Sequence, residues 1–391
     1  GSGKWRLVFS APYDQPDDSV ASLTAKTNAA IAEEIRRAPE DWVWVHNRWK
    51  TPKPNWLLRQ YKRGLFVPDE RATTLQPFRI LIRASNWLGD SVISVPAVRA
   101  IKRGRPDTHV TILAPDKIAA VWRLAPEVDE VISLGNMSLG AVRRALLCAD
   151  PFDVGIAFPN SLRSALELWL GGIPRRVGYA GHYRRWFLNQ VVPKVERRGP
   201  PPHQVEHYLD LARSLGTTAE AGEIAVSAPP LAAAAERRFA LCPGAEYGPA
   251  KRWLPERFAE TAAAIGGHWV LFGIKKDEEV GAQIATALGE TCSNLIGKTT
   301  LEQLIDELRQ CELLLTNDTG TMHLATLLDV PVVAIFGSTE PRLTGPLGDK
   351  STVVRHQVEC SPCFLRECPL DFRCMKAVGA EEVADAIKLS S

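Results

Sequence analysis

From Phe78 to near the carboxyl terminus the chain repeats one local pattern: a short apolar run of strand length, a break, then a stretch with helical periodicity. RILIRAS, HVTILAP, DEVISLG and FDVGIAFP are the first such runs, interspersed with helical stretches such as VPAVRAIKR and MSLGAVRRALLCA. Strands that alternate with helices predict a parallel sheet covered on both faces. A helix at HQVEHYLDLARSLG closes this half, and TTAEAGEIAVSAPPLAAAAE reads as a connector of small residues and prolines. The pattern then restarts with FALCPG, HWVLFGI, ELLLTND and PVVAIFG as strands and with helices after LPERF, DEEV, LEQLI and TGTMH. The expected fold is α/β, with two Rossmann-like, doubly wound domains over residues 76–220 and 221–391. Such sheets bind ligands beyond the carboxyl ends of their strands, so the cleft between the domains is the expected place of chemistry.

Residues 1–75 break this grammar. A Gly-Ser-Gly start and the polar APYDQPDDS precede one helical segment from about Ser22 to Arg37, a tryptophan-rich run and a Pro/Lys/Arg-rich linker. They read as a helical and irregular appendage.

Composition enters as a set of exclusions. With 391 residues, 45% hydrophobic and 24% charged, the chain is a globular protein too long for one ordinary core. Lys+Arg 47 against Asp+Glu 45 leaves a net charge of +2, which argues against a nucleic-acid partner held by phosphate neutralisation. No apolar run approaches the roughly 18 residues of a membrane span, and the start lacks the regions of a signal peptide, so a cytoplasmic location is expected.

Three loops follow strands and carry chemistry-bearing residues. CPGAEYGPAKRW (Cys242 to Trp253) breaks regular structure with Pro and Gly, leaves backbone amides free, and brings Lys251 and Arg252 beside Glu246; a solvated glycine-rich connector is the bland alternative. In TNDTGTMHLA a strand ends at Asp318 and a helix begins near Gly320, so Thr319, Gly320 and Thr321 offer N–H groups to phosphate oxygens. Asp318 there can equally be an N-cap, and His323 a packed helix residue. RASNWLGDSV places Asp90 at the head of a helix, where a carboxylate is either an N-cap or a general base.

NWLGD, PNSLRSAL, GIPRRVGY, CPGAEYGPAKRW and TNDTGTMHLA, in this order, resemble the ADP-heptose-dependent glycosyltransferases of the GT-B fold, and among them the branch that acts second on the lipopolysaccharide inner core. The resemblance implies a heptose donor, ADP-heptose, and a lipopolysaccharide inner-core acceptor carrying heptose. It implies Asp90 as catalytic base, and Lys251 with Asp318, Thr319, Gly320 and His323 in the donor site. The inverting mechanism it implies needs no cofactor, and no D-x-D triplet occurs in the chain. Acceptor binding is expected of the first domain, from Arg163, Arg175, Arg176, Arg184 and Arg185, with Asn160 and Ser161 at a strand end; arginine suits an anionic acceptor. A related transferase with another donor or acceptor, and a non-catalytic lipopolysaccharide-assembly module, remain open alternatives.

Of eight cysteines, four crowd into C-x2-C-x4-C-x5-C: Cys360, Cys363, Cys368 and Cys374. A structural zinc is one reading, reduced thiols or local disulfides a second, and an iron–sulfur cluster a third. APEDWVWVHNRWK in the appendage resembles the carboxyl-terminal end of lipid A acyltransferases, but Thr51 stands where their H-x4-D/E motif needs an acid after His46, so no acyl transfer is expected. The tryptophans Trp42, Trp44 and Trp49 beside the basic stretch Lys50 to Arg63 are either a packing surface or a peripheral contact with the inner face of the inner membrane.

Overall fold

The computed structural model describes residues 19–37, 77–195, 199–220, 224–226 and 237–390. The alanine-containing segment VASLTAKTNAAIAEEIRR forms helix α1 (Val20–Arg37), with Ser19 Oγ accepting the Ser22 N–H at 3.2 Å. This helix falls in one compact unit and everything from residue 77 onward in another. Trp42, Trp44, His46, Trp49 and Thr51, with the basic linker, lie outside the described residues. No helix among the described residues is long and apolar enough to cross a membrane.

In the larger unit the first sheet contains β1 (Phe78–Arg83), β2 (Thr108–Pro115), β3 (Glu130–Leu134), β4 (Val154–Ala157), β5 (Arg175–Tyr179) and β6 (Gln190–Val192). Between them lie α2 (Leu88–Gly104), α3 (Asp116–Leu124), α4 (Leu139–Cys148) and α5 (Leu162–Leu170), and α6 (Val205–Ser214) follows. The second sheet contains β7 (Arg238–Cys242), β8 (His268–Leu271), β9 (Cys292–Asn294), β10 (Leu314–Asn317), β11 (Val332–Ile335) and β12 (Ser351–Val354). Its helices are α7 (Pro255–Ile265), α8 (Glu278–Leu288), α9 (Leu301–Leu308), α10 (Gly320–Leu327), α11 (Pro341–Thr344), α12 (Arg373–Lys376) and α13 (Ala380–Ser390).

The strand orders are β3-β2-β1-β4-β5-β6 and β12-β11-β10-β7-β8-β9, and every pairing is parallel. Counted from its own first strand, each sheet has the same doubly wound order, which reverses between β1 and β4 and between β7 and β10. Ligand crevices open at such reversals. All the loops singled out above except the arginine-rich GIPRRVGY lie at the carboxyl ends of these four strands.

Ile80, Leu81 and Ile82 of β1 are wholly buried, as expected of a central parallel strand. Helix α2 is buried continuously from Ser91 to Ile101 because α6 and α10 pack against it. Strands β5, β6, β9 and β12 are additions to the strands expected from sequence. Three are edge strands of three or four residues, and β5 begins with two arginines, so none carries the long apolar run that marks a central strand.

One buried ion pair ties the first sheet to its helices. Arg83 Nε on β1 donates to Glu167 Oε2 on α5 at 2.6 Å, with side chains 3% and 0% exposed, and half-exposed Arg163 donates to Oε1 at 2.9 Å. Glu167→Ala strands the Arg83 charge and should cost about 3–5 kcal/mol. Arg163→Ala removes the outer partner and should cost about 0–1 kcal/mol. Urea unfolding of the two variants distinguishes these values.

Candidate active site

Two glycines let the two halves of the site touch. Gly89 is the second residue of α2 and Gly320 the first of α10. A Cβ on Gly320 would lie 3.0 Å from Leu88 Cβ and 3.2 Å from the Gly89 nitrogen, and one on Gly89 would lie 3.1 Å from the His323 ring. The amino ends of both helices therefore meet at the cleft, where their exposed N–H groups favour an anion.

Around this meeting point lies a cavity of about 480 Å³, lined by Asp90, Glu246, Lys251, Asp318, Thr319, Gly320 and His323 among others. Seven residues nominated from sequence are thus brought together from three loops. Asp90 is no N-cap: Trp87 holds that position, and the Asp90 carboxylate accepts from Ser85 Oγ at 3.0 Å and from Gln204 Nε2 at 2.7 Å. Asp318 is no cap either, since Thr319 holds that position; it accepts from Lys251 Nζ at 2.5 Å and from Thr339 Oγ1 at 2.7 Å. Lys251 also lies 5.0 Å from the centre of the Tyr247 ring, with Arg366 at 5.1 Å from the same ring. Aromatic faces attract cations, so Tyr247 holds two positive side chains beside the cavity.

Arg252 and Thr321 are not part of this lining. Arg252 pairs with buried Asp277 at 2.9 Å, and Thr321 Oγ1 accepts from the Cys242 thiol at 3.6 Å. Sequence reasoning missed Gln204, Tyr247, Lys276, Thr344 and Arg366, which also line the cavity. Tyr247 was visible inside CPGAEYGPAKRW. Arg366 comes from the cysteine-rich loop, whose Arg366 carbonyl accepts the Ala250 N–H at 3.0 Å and so closes against the glycine-rich loop. A Cβ on Gly248 would come within 2.3 Å of that carbonyl oxygen, so only glycine permits the contact. Gln204 donates its backbone N–H to Leu343 O at 2.9 Å while its side chain holds Asp90, which links Asp90 to α11 of the second domain.

A second cavity, of about 850 Å³, opens on the first-domain side and is lined by Asn160, Ser161, His182, His207 and Tyr208. Trp87, Asp90 and Gln204 border both cavities. Asp90 is thus the carboxylate at the junction.

Residues 140–372 match the protein family described as glycosyltransferase family 9 (heptosyltransferase). Lipopolysaccharide heptosyltransferase 2 of Salmonella typhimurium is 34% identical over 307 residues, covering 71% of this chain and 88% of that protein; the Escherichia coli enzyme of the same name is 33% identical over the same shares. The solved structure of E. coli ADP-heptose lipopolysaccharide heptosyltransferase II has a TM-score of 0.66 at 29% identity, covering 80% of this chain and 98% of that one. The chain belongs to glycosyltransferase family 9.

Residues 1–51 of this family 9 glycosyltransferase match a different family, the bacterial lipid A biosynthesis acyltransferases, as the appendage suggested. Asp90 and Lys251 both line the cleft, whereas a non-catalytic module would be favoured by side chains pointing away from it.

The expected acceptor arginines separate. Arg175 and Arg176 are a correction: they open β5 at its amino end, the opposite end of the sheet from the cleft, and bind Gln190 Oε1 and the Phe187 and Ile173 carbonyls. Arg163 is taken up by Glu167 and the Met137 carbonyl, and Arg185 is exposed without lining the cavity. Arg184 is wholly buried behind Asn160. Ser161 lines the cavity while its oxygen caps α5 by accepting the Ser164 N–H at 3.1 Å. Cys360, Cys363, Cys368 and Cys374 are free thiols, and among the described residues no group of three or more His, Cys, Asp or Glu side chains is placed to hold a metal ion.

His323 is 4% exposed, its Nδ1 has no partner among the described residues, and burial lowers its pKa to about 4, Asp318 opposing that shift. In the unfolded chain it titrates near 6.5. Below that pH the unfolded state takes up a proton that the folded state refuses, so this contribution to stability falls as pH drops from about 6.5 to about 4. Between pH 7 and 5 the loss should be about 2 kcal/mol. His323→Asn should flatten stability against pH in that window, as measured by urea unfolding at the two pH values.

Proposed function

We propose that this chain is an inverting heptosyltransferase that moves L-glycero-D-manno-heptose from ADP-heptose onto an inner-core heptose of lipopolysaccharide. The observation that carries this reading is Asp90 standing where two cavities meet, one rich in groups suited to a diphosphate and one without them. The donor occupies the first cavity and the acceptor the second. Asp90 takes the proton from an acceptor hydroxyl, the oxygen forms a bond to the anomeric carbon, and the bond from that carbon to the diphosphate breaks with its electron pair leaving on ADP.

Negative charge then grows on the diphosphate. Lys251, Lys276 and Arg366 supply positive charge at the cavity, and the amino ends of α2 and α10 supply oriented N–H groups. Asp318 holds Lys251 in place before the donor arrives. Because these groups supply the positive charge and N–H donors that a diphosphate leaving group needs, the reaction we propose is metal-independent. A lipid-anchored acceptor would bring the chain to the cytoplasmic face of the inner membrane as a peripheral protein.

With ADP-heptose and a heptose-bearing core acceptor, Asp90→Asn should lower kcat by about 10²–10⁴-fold and change the donor KM little. Lys251→Met should instead raise the donor KM by roughly tenfold or more, because it removes a charge-assisted contact to phosphate. ADP release measured in excess EDTA should match the untreated rate. Parent turnover in Asp90→Asn would exclude the proposed base.

A further inference from the structure

Large aromatic side chains are seldom left in water, yet the outer side of the first domain exposes three of them. Trp186 is 80% exposed, Tyr183 77% and Trp169 48%. They belong to one surface formed by α5 and the crossover from β5 to β6. The Trp169 ring on α5 meets Phe187 edge-on at 5.7 Å, and Tyr183 meets Trp186 at 6.5 Å. Leu162, two helical turns before Trp169 on α5, and Val191 on β6 are exposed as well.

The crossover holds these rings outward by its own geometry. Gly181 O accepts the Arg184 N–H at 3.0 Å, and Arg184 O accepts the Phe187 and Leu188 N–H groups at 2.9 and 3.0 Å. Arg184 is wholly buried and donates to Asn160 Oδ1 at 2.7 Å, so it anchors the turn from inside. With three residues per turn, a 3-10 turn that points Arg184 inward sends Arg185 and Trp186 outward. His182 and Tyr183 precede it at φ 47° and 58°, a left-handed backbone that side-chain-bearing residues rarely adopt.

Charge decides what such a surface fits. Residues 159–195 contain six Lys and Arg and a single acid, Glu167, which is 0% exposed and bound to Arg83 and Arg163. Arg185 and Lys194 are exposed, and α4, packed beside α5, adds exposed Arg143 and Arg144 with no acid of its own. Aromatic rings settle at the headgroup level of a bilayer, and Lys and Arg are drawn to anionic lipid. The surface also reaches the second cavity, which Leu162 and His182 line.

We propose that this face, with Trp169, Tyr183 and Trp186 as its aromatic anchors and Arg185 and Lys194 as its cations, docks the chain on an anionic lipid bilayer. Docking there sets the second cavity beside the lipid surface. Only the purpose of the docking rests on the transferase reading: a lipid-anchored acceptor would enter that cavity from the bilayer.

The test sediments the full chain with vesicles of phosphatidylcholine alone, or of phosphatidylcholine mixed equally with phosphatidylglycerol. The parent should bind the mixed vesicles at least about tenfold more tightly, and less as salt is raised. Tyr183→Ser with Trp186→Ser should weaken binding to both kinds of vesicle by about tenfold or more. Arg185→Glu should weaken binding to the mixed vesicles by a similar factor and leave the neutral ones unchanged. All three positions are exposed, so the urea midpoints should match that of the parent. Each variant is repeated in a chain carrying Trp42→Ser, Trp44→Ser and Trp49→Ser, which separates this face from the appendage. A parent that binds neither vesicle overturns the inference, as do patch variants that bind like the parent in both backgrounds. Loss of self-association in Trp186→Ser with vesicle binding kept would make the face a contact with a second copy, and also overturns it. Vesicle binding with the expected dependences supports the docking surface even in a chain that transfers no heptose, so the two readings fail separately.

Discussion

The site depends on the close approach of two helix amino ends. Gly89 and Gly320 sit where α2 of the first domain crosses α10 of the second, and a side chain on either would press on its neighbour. That contact brings the N–H groups of both helices to one cavity and places Asp90, one residue beyond Gly89, opposite Thr319 and His323. Two doubly wound sheets with the same strand order can face each other across their reversal points in many ways. The paired glycines select an arrangement in which the carboxyl ends of β1, β4, β7 and β10 share one space.

Within that space, polar residues are distributed so that few serve only themselves. Asp318 orders Lys251, Asn160 accepts from Arg184, and Gln204 holds Asp90 with its side chain while its backbone bonds to the second domain. His203 makes a parallel link, its Nε2 lying 3.0 Å from the Gly345 carbonyl oxygen. The loops of one domain are thus read by the other through hydrogen bonds. Their directional geometry makes the orientation of the side chains sensitive to the distance between domains.

The sequence-based reading and the structure part company in an instructive way over the arginines. GIPRRVGY carries two adjacent arginines, yet Arg175 and Arg176 open a parallel strand and so point their chemistry at the wrong end of the sheet. Arg184, nine residues after Arg175, lies behind Asn160 of the second cavity because the chain has by then crossed to the carboxyl end of β5 and turned inward. Asp90 and Asp318 show the converse. Each had the spacing of an ordinary helix cap, and each proves to be held by side chains from other elements while Trp87 and Thr319 take the cap positions. Arg366 and Lys276 carried no signal of their own, because each enters the cavity only through the packing of its loop.

Alternation of apolar runs with helical stretches was enough, by itself, to determine two doubly wound α/β domains, since the burial of central strands on both faces is a local property of composition. The loops after β1, β7 and β10 were legible for the same reason: glycines, a lysine and helix-starting residues leave their mark within a dozen positions. The short edge strands β6, β9 and β12 were not, because half-exposed strands need no continuous apolar run. Which carboxylate faces two cavities, which arginine is buried behind Asn160 and which residues bridge the domains were decided only by tertiary structure. These are relations between segments as far apart as Asp90, Gln204 and Leu343, and no local pattern records a distance of that kind.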